Sequence, residues 1–407
     1  MDDLSRGWPP DETTPSRHDD GHATVASPRA RTRATGPRLL RRRVARVLEG
    51  SGVALDGPSP WDIQVLDGRF YGRCLLQGSL GFGDAYVDGW WDTADLDGCL
   101  ERLLRHRAEM RTGVAVRSRL AARHLLRNVQ RGAGAWRVGR RHYDLGDDLF
   151  EAMLGARRVY SCAYWAEARD LDAAQLAKLD LVCRKLGLAP GMRVLDIGCG
   201  WGEALRYAAE RYGVGGVGVT VSADQARAAQ STCRGLPVEI RLADYRTLRD
   251  EHFDRIFSIG MFEHVGPRNH GHFFDVVHRC LQPEGLMLLH TIGTQTGNRV
   301  PDPWIERYIF PNSVIPRLDD VVAAASPRFR LEDLHAFGLD YVRTLQAWRE
   351  RFDRAWPRLE PRYGTAFHRL WHYYLAAAIA SFRARRNDLW QIVLAPHGRT
   401  SVYRSRR

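Results

Sequence analysis

From Ala174 onward the spacing of apolar residues switches repeatedly between a helical and a strand period. "AAQLAKLDLVCRKLGL" carries its apolar positions at helical intervals and stops at the turn "APGM". Next come "RVLDIGCG" as a strand, "EALRYAAERYG" as a helix, "VGGVGVTV" as a strand and "ADQARAAQSTCRG" as a helix. "VEIRLADY" and "FDRIFSIGM" read as strands, "HFFDVVHRCL" as a helix and "GLMLLHTIG" as a strand. This alternation predicts an α/β fold with a parallel, doubly wound sheet. No internal repeat of solenoid period interrupts it. Ligands of such sheets collect outside the carboxyl ends of the strands. Glu263, in "SIGMFEHVGP", falls at one such end, and His290, closing "LMLLH", falls at another.

The N-terminal part is patterned differently. Residues 1–37 are rich in Pro, Asp, Ser, Thr and Arg, with little to bury, and read as a disordered tail. Between Leu39 and Leu48 the chain becomes helical. Leu40, Val44, Val47 and Leu48 share one face, and Arg38, Arg41, Arg42, Arg43 and Arg46 surround it. Such a helix either lies on a membrane or presents a solvated face. "WDIQVLDG" predicts a strand ending in a turn, "GSLGFGDAYVDGWW" is rich in Gly and aromatic residues, and "LDGCLERLLRHR" predicts a helix. Residues 106–138 are Arg-rich and polar, a helical linker before a second domain that starts near His142.

Charge adds a partner class. The net charge of +12 favours a polyanion, either nucleic acid or an anionic membrane surface. Nearly all the basic residues are arginine; only Lys178 and Lys185 are lysines. No apolar run approaches the roughly 20 residues of a membrane span, and no secretory h-region is present, so a cytoplasmic location is expected. The seven cysteines are scattered without a C-x-x-C pair, which argues against a disulfide framework and against a zinc site. No metal is expected.

"VLDIGCGWGEALRYAA" is a strand, a turn with Gly198, Gly200 and Gly202, and a helix. Glycines let the backbone turn sharply and approach a ligand closely. The spacing G-x-G-x-G departs from the dinucleotide fingerprint, and Asp196 precedes the first glycine. The combination looks like motif I of class I S-adenosylmethionine-dependent methyltransferases. Thr220 and Gln225, where many such sheets carry an acid for ribose hydroxyls, would supply polar contacts. Tyr245 and Arg246, with Asp244 at the end of the third strand, would flank the adenine.

Further blocks extend the resemblance: "YSCAYW" (160–165), "PGMRVLDIGCGWG" (190–202), "GVGVTVSADQ" (216–225), "FDRIFSIGMFEHVGP" (253–267), "LLHTIG" (288–293), "DPWIERYIFPN" (302–312), "FGLDY" (337–341) and "FRAR...LWQ" (382–391). In order over residues 142–394, they resemble the cyclopropane-fatty-acyl-phospholipid synthase family, which includes the mycolic acid cyclopropane synthases. "PWDIQV" and "GSLGFGDAYVDGWW" resemble the N-terminal domain of its phospholipid enzymes. The resemblance implies a Rossmann-like class I methyltransferase fold with a smaller N-terminal α+β domain. Its divisions would be the tail at 1–37, a lipid-docking domain and linker at 38–138, and a catalytic domain at 139–407.

It also implies a reaction. A cis alkene of a phospholipid acyl chain attacks the sulfonium methyl, a carbocation develops, and loss of a proton closes the ring. The site must exclude water and hold a base, which the family is understood to take as bicarbonate. Carried over by motif, Glu263, His290 and Tyr341 would hold that ion, with backbone help at Cys162 and Ile292. Tyr160, Ser161 and Cys199 would line the cofactor together with Asp196 and the glycines. Cys162 would act by position, because the chemistry needs no thiol nucleophile. His264 is expected to point elsewhere. Trp304, Tyr308, Phe310, Tyr373, Tyr374 and Phe382 are candidate walls of the acyl channel. The implied partners are unsaturated phospholipids at the inner face of the cytoplasmic membrane, with a homodimer left open and nucleic acid not expected.

Two residues depart from the family pattern. Ala378 stands where the family commonly carries a cysteine, and Glu203 follows the glycine loop where a small residue is usual. Glu203 is expected to face solvent in a first helical turn. Ala378 keeps open a methylene- or methyl-branched product in place of the ring. A nucleic-acid methyltransferase or a non-catalytic cofactor-binding protein is a remote alternative; the chain lacks the N-P-P-Y or D-P-P-Y tetrapeptide of amino-group methylation.

Overall fold

The structure is a computed structural model that describes residues 38–107, 113–126, 146–249, 251–295 and 302–407. The expected N-terminal tail and much of the linker lie outside these residues.

The N-terminal unit is mostly helical. It comprises α1 (Arg38–Leu48), α2 (Arg69–Gln77), α3 (Ser79–Val87), α4 (Leu96–Arg105) and α5 (Val114–Leu126). The strand expected in "WDIQVLDG" reduces to β1 (Gln64–Val65), paired antiparallel with β2 (Trp91–Asp92). The glycines of α3 allow close helix packing. A Cβ at Gly81 would lie 2.4 Å from the Arg73 carbonyl oxygen, and one at Gly83 would lie 2.5 Å from the Trp304 ring. Sequence composition alone hides that helix, since glycine is a poor helix former until packing demands it.

The second unit is built on a seven-stranded sheet of order β5-β4-β3-β6-β7-β9-β8. The strands are β3 (Arg193–Ile197), β4 (Gly215–Thr220), β5 (Val238–Leu242), β6 (Phe253–Ile259), β7 (Leu281–Gly293), β8 (Phe329–Ala336) and β9 (Asp388–Pro396). β3 to β7 pair in parallel, as the alternation predicts, but β9 runs antiparallel to both β7 and β8. The sheet is therefore mixed. The helices are α6 (Asp147–Leu154), α7 (Leu171–Leu186), α8 (Glu203–Tyr212), α9 (Ala223–Thr232), α10 (His270–Cys280), α11 (Pro303–Tyr308), α12 (Leu318–Ala325) and α13 (Gly338–Arg383). Two apolar clusters flank the sheet, one on each face.

α13 joins β8 to β9 and doubles back at Gly364, whose φ of 73° only glycine adopts readily. Phe352 of the first arm stacks on His368 of the second at 5.5 Å, and Asp353 accepts from His372. Both arms pack on the N-terminal helices in a third cluster, where Trp91, Trp304, Trp348 and Trp371 are buried. The long hairpin thus ties the N-terminal unit to the sheet's carboxyl edge.

Candidate functional site

Two cavities meet at that edge. The smaller, of about 180 Å³, lies over the glycine loop. Gly198, Gly200 and Gly202 all take positive φ, of 87°, 54° and 83°. A Cβ at Gly198 would meet Met261 at 2.6 Å, whereas one at Gly200 would enter open space. Of the residues expected at the cofactor, Tyr160, Ser161, Asp196, Gly198, Cys199, Gly200, Thr220, Gln225, Tyr245 and Arg246 line this cavity. Gly202 does not: it opens α8, and a Cβ there would press on Ala229 and Cys233 of the neighbouring α9 segment at 3.1 Å. Thr220 donates to Gln225 at 2.9 Å, and the Ser222 amide donates back to the Thr220 hydroxyl at 3.2 Å. Asp244 holds the Arg246 guanidinium at 2.9 Å, fixing it at the cavity wall.

The larger cavity, of about 620 Å³, runs between α1, α2, α4, α5 and the α13 hairpin. Its lining is largely apolar. Trp304, Phe310, Tyr373, Tyr374 and Phe382 wall it as expected, while Tyr308 lies outside the lining; Ala378 is on the wall. Glu263, His290, Tyr341, Cys162 and Ile292 all reach this cavity. Tyr160, Ser161, Gly260 and His264 line both cavities and form the junction between them.

Glu263 sits in a short turn after β6. Its Oε1 accepts the Ile292 amide at 2.7 Å, so that amide is engaged by Glu263 and orients the carboxyl rather than facing an anion directly. Oε2 has no hydrogen-bond partner among the described residues. Burial pushes the carboxyl up to about 7. His290 lies opposite Gln391 in the β7–β9 register, and the Gln391 amide nitrogen stands 3.3 Å from His290 Nδ1. An amide N–H can only donate, so Nδ1 accepts and the proton resides on Nε2. His290 Nε2 also lacks a partner among the described residues. Burial, reinforced by Lys178 and Lys185, holds the imidazole well below its usual pKa and therefore neutral. Tyr341 packs edge-on to Trp348, with ring centroids 5.9 Å apart. The Cys162 thiol is fully buried and its pKa is raised by desolvation, which disqualifies it as a nucleophile.

Two expectations are corrected. His264 does not point away; it stands at the junction, with Nδ1 unpartnered among the described residues and burial lowering its pKa to about 4. Glu203 does not face solvent. It is buried at the cavity wall and accepts from Arg157 and from Arg206, the latter at 2.9 Å. Arg157 is 46 residues away in sequence, so no local pattern could announce the pair. Two further residues escape sequence reasoning: Lys178, which lines the glycine-loop cavity, and Gln391, which fixes the His290 tautomer; Tyr374, expected only as a wall of the acyl channel, also brings its hydroxyl to 2.8 Å from that of Tyr160. The strand register could have suggested Gln391 once β7 and β9 were known to pair.

Residues 130–392 match the family described as mycolic acid cyclopropane synthetase. The chain is 49% identical over 351 residues to the cyclopropane-fatty-acyl-phospholipid synthase of Escherichia coli (strain K12), covering 86% of this chain and 91% of that protein. It is 36% identical over 273 residues to the cyclopropane mycolic acid synthase MmaA2 of Mycobacterium tuberculosis, covering 62% and 95%. The solved structure of MmaA2 aligns with a TM-score of 0.61 at 34% identity, covering 64% of this chain and 98% of that one. Mycolic acid cyclopropane synthase CmaA1, complexed with SAH and CTAB, aligns at 0.55 with 34% identity, covering 63% and 96%. A glycine-loop cavity joined to an apolar one, on this fold and with these relatives, leads to one conclusion: the chain belongs to the cyclopropane synthase family and is an S-adenosylmethionine-dependent C-methyltransferase of the cyclopropane-fatty-acyl-phospholipid synthase type.

Proposed function

We propose that the protein adds a methylene bridge across the cis double bond of an unsaturated acyl chain in a membrane phospholipid. The observation that carries this reading is the junction. The cavity over the glycine loop, suited to the cofactor, opens through Tyr160, Ser161, Gly260 and His264 into a larger, mainly apolar cavity of about 620 Å³, roomy enough for part of an acyl chain. An alkene is a weak nucleophile, so the residues' main work is to align it with the methyl group and keep water away. Phe310 and Tyr374, with ring centroids 6.1 Å apart, offer π faces near a developing cation.

The polar groups of the larger cavity fit a bicarbonate ion. Among the described residues, Glu263 Oε2 is an acceptor without a donor, and His290 Nε2–H is a donor without an acceptor. Bicarbonate carries one hydroxyl and two acceptor oxygens, so the pair complements it. When bound there, it would supply the base that removes the proton released on ring closure. Glu263 would receive its hydroxyl, His290 and Tyr341 would donate to its oxygens, and Ile292 would hold Glu263 in place. His290 must be neutral with its proton on Nε2 for this role, which is the state burial and Gln391 favour. The Cys162 segment would close the remaining side.

The substrate would be drawn from an anionic membrane surface at the cytoplasmic face. Arg38, Arg42, Arg43 and Arg46 are exposed on α1, and the cavity-lining helices α1, α2 and α5 also expose Leu39, Leu76 and Val114. Expression in a host lacking its own cyclopropane synthase tests the reading. Mass spectrometry should find acyl chains one CH₂ heavier with the double bond consumed. Chains that gain the mass but retain unsaturation would establish the branched product instead. Unchanged lipids would sink the proposal.

A further inference from the structure

The α13 hairpin gathers a second set of polar side chains, outside the lining of both cavities. Its second arm carries "HRLWH", so His368 and His372 are four residues apart and share one helix face. Asp353 comes from the first arm, on the other side of the Gly364 turn. His372 Nε2 donates to Asp353 Oδ1, and His368 Nε2 stands 3.6 Å from the same oxygen. The three atoms lie within 4.8 Å of one another. Ligands around a tetrahedral zinc ion are about 3.4 Å apart, so small side-chain rotations close this set around one ion.

The surroundings hold the rings in place and leave the carboxylate to them. Phe352, fully buried, stacks on His368 at 5.5 Å, and Trp356 packs on the same ring at 4.5 Å. The neighbouring arginines are committed elsewhere: Arg349, one turn before Asp353, to Asp97, and Arg369, beside His368, to Asp92. Among the described residues, Asp353 is in ion-pair contact with no guanidinium. Burial pushes the Asp353 carboxyl up, but hydrogen bonds from His368 and His372 outweigh it and hold the group below the usual carboxylate range. The side chains of Asp353, His368 and His372 are 44%, 29% and 24% exposed, which lets a hydrated ion enter and keep a water ligand. Two imidazole nitrogens and one carboxylate suit zinc and its neighbours; magnesium and calcium take oxygen ligands.

We propose that Asp353, His368 and His372 bind a divalent transition ion such as zinc, with water completing the shell, and that the ion clamps the two arms of α13. Each imidazole is then neutral, with its proton on Nδ1 and the Nε2 lone pair on the metal. The second arm runs on from His372 into Tyr373, Tyr374 and Ala378 on the wall of the larger cavity, so the clamp steadies that wall from outside. The expectation of no metal came from cysteine spacing, and this site uses no cysteine.

Calorimetric titration of the chelator-treated full chain with Zn²⁺, with Mg²⁺ as the control, provides the test. One equivalent of Zn²⁺ should bind with a Kd of about 1 μM or tighter, and Mg²⁺ should not bind there. Asp353→Asn and His372→Gln each keep a polar group for the hairpin. Either should weaken that equivalent by about 100-fold or more, at least the cost of losing a mere supporting residue of a metal site. Zn²⁺ should raise the melting temperature of wild type by a few degrees and leave both variants unmoved. Co²⁺ gives a readout that needs no variant: visible d–d bands with no thiolate charge-transfer band. Wild type that takes up no Zn²⁺ equivalent overturns the site, as do variants that bind as wild type does. A thiolate band would place the ion on a cysteine and overturn it equally. Tight binding with no rise in melting temperature refutes the clamp.

Discussion

Glu263 is a carboxyl whose charged form the fold destabilises and the proposed reaction would require. Its pKa in the folded protein is raised from 4.5 to about 7 by desolvation. The folded state therefore binds that proton more tightly than the unfolded chain does. The stabilisation is present below about 4.5 and is lost as pH rises through about 7. Glu263→Gln removes the charge but keeps an oxygen for the Ile292 amide. We expect it to raise the unfolding free energy by about 1 to 3 kcal/mol at pH 8, with a smaller gain at pH 5. Turnover should nevertheless collapse while cofactor affinity holds. Equal melting shifts at both pH values would show that the side chain is not charged in the folded protein. Wild-type turnover should also fall as pH drops through about 7, since the acceptor role needs the carboxylate. Glu263 and His290 were legible in sequence because each ends an apolar strand. His264 and Glu203 were not, because burial is decided by partners from distant segments: Phe310 lies 5.9 Å from the His264 ring, and Arg157 comes from the segment preceding Tyr160.

At the scale of elements, two glycines separate binding from folding. Gly200 has open space where a Cβ would go, but its φ is 54°. Gly200→Val should cost about 1 to 2 kcal/mol of stability from the left-handed backbone, and should abolish cofactor binding by filling the cavity. Gly218 is the opposite case. A Cβ there would stand 2.8 Å from Leu205 and 2.9 Å from Cys199 and Ile240, within β4; Gly218 itself does not line the cavity, and of these three neighbours only Cys199 does. Gly218→Ala should destabilise by about 1 to 3 kcal/mol through overpacking, with near-normal affinity in the molecules that fold. Thermal melts beside calorimetric titrations distinguish the two; normal binding by Gly200→Val would refute the loop's placement. The strand–helix alternation that frames these glycines was readable because each element has its own period. The antiparallel β9 and the α13 hairpin were not. Direction depends on how the chain returns to the sheet, and here a single Gly364 reverses a helix that the apolar pattern treats as ordinary.

For the molecule as a whole, the decisive question is how an acyl chain held in a bilayer reaches a cavity inside a protein. A basic amphipathic helix such as α1 suggests insertion of its apolar face, but the structure uses that face internally: Val44 and Leu48 are buried in the core. What remains outward is charge, and not all of it is free, since Arg41 pairs with Asp56 at 3.3 Å. Arg38, Arg42, Arg43 and Arg46 are the exposed set. Each basic residue close to an anionic surface contributes roughly 1 kcal/mol. Four acting together would strengthen association by orders of magnitude, and salt would weaken it as the Debye length shortens to about 10 Å at 0.1 M. Leu39, Leu76 and Val114, on helices that line the acyl cavity, would add a smaller, salt-insensitive share. Sedimentation with vesicles should therefore show binding that rises with phosphatidylglycerol content and falls with salt. Replacing the four arginines by glutamine should remove most of the salt-sensitive part without altering cofactor affinity. Replacing the three apolar residues by serine should instead lower the residual binding at high salt. If the arginine variant binds as wild type does and salt has no effect on either, docking is apolar and the basic face of α1 is merely solvated. Because α1 both carries these arginines and walls the acyl cavity, a docked protein would hold that cavity against the bilayer, and the two variants should slow turnover on vesicles far more than on a detergent-dispersed phospholipid.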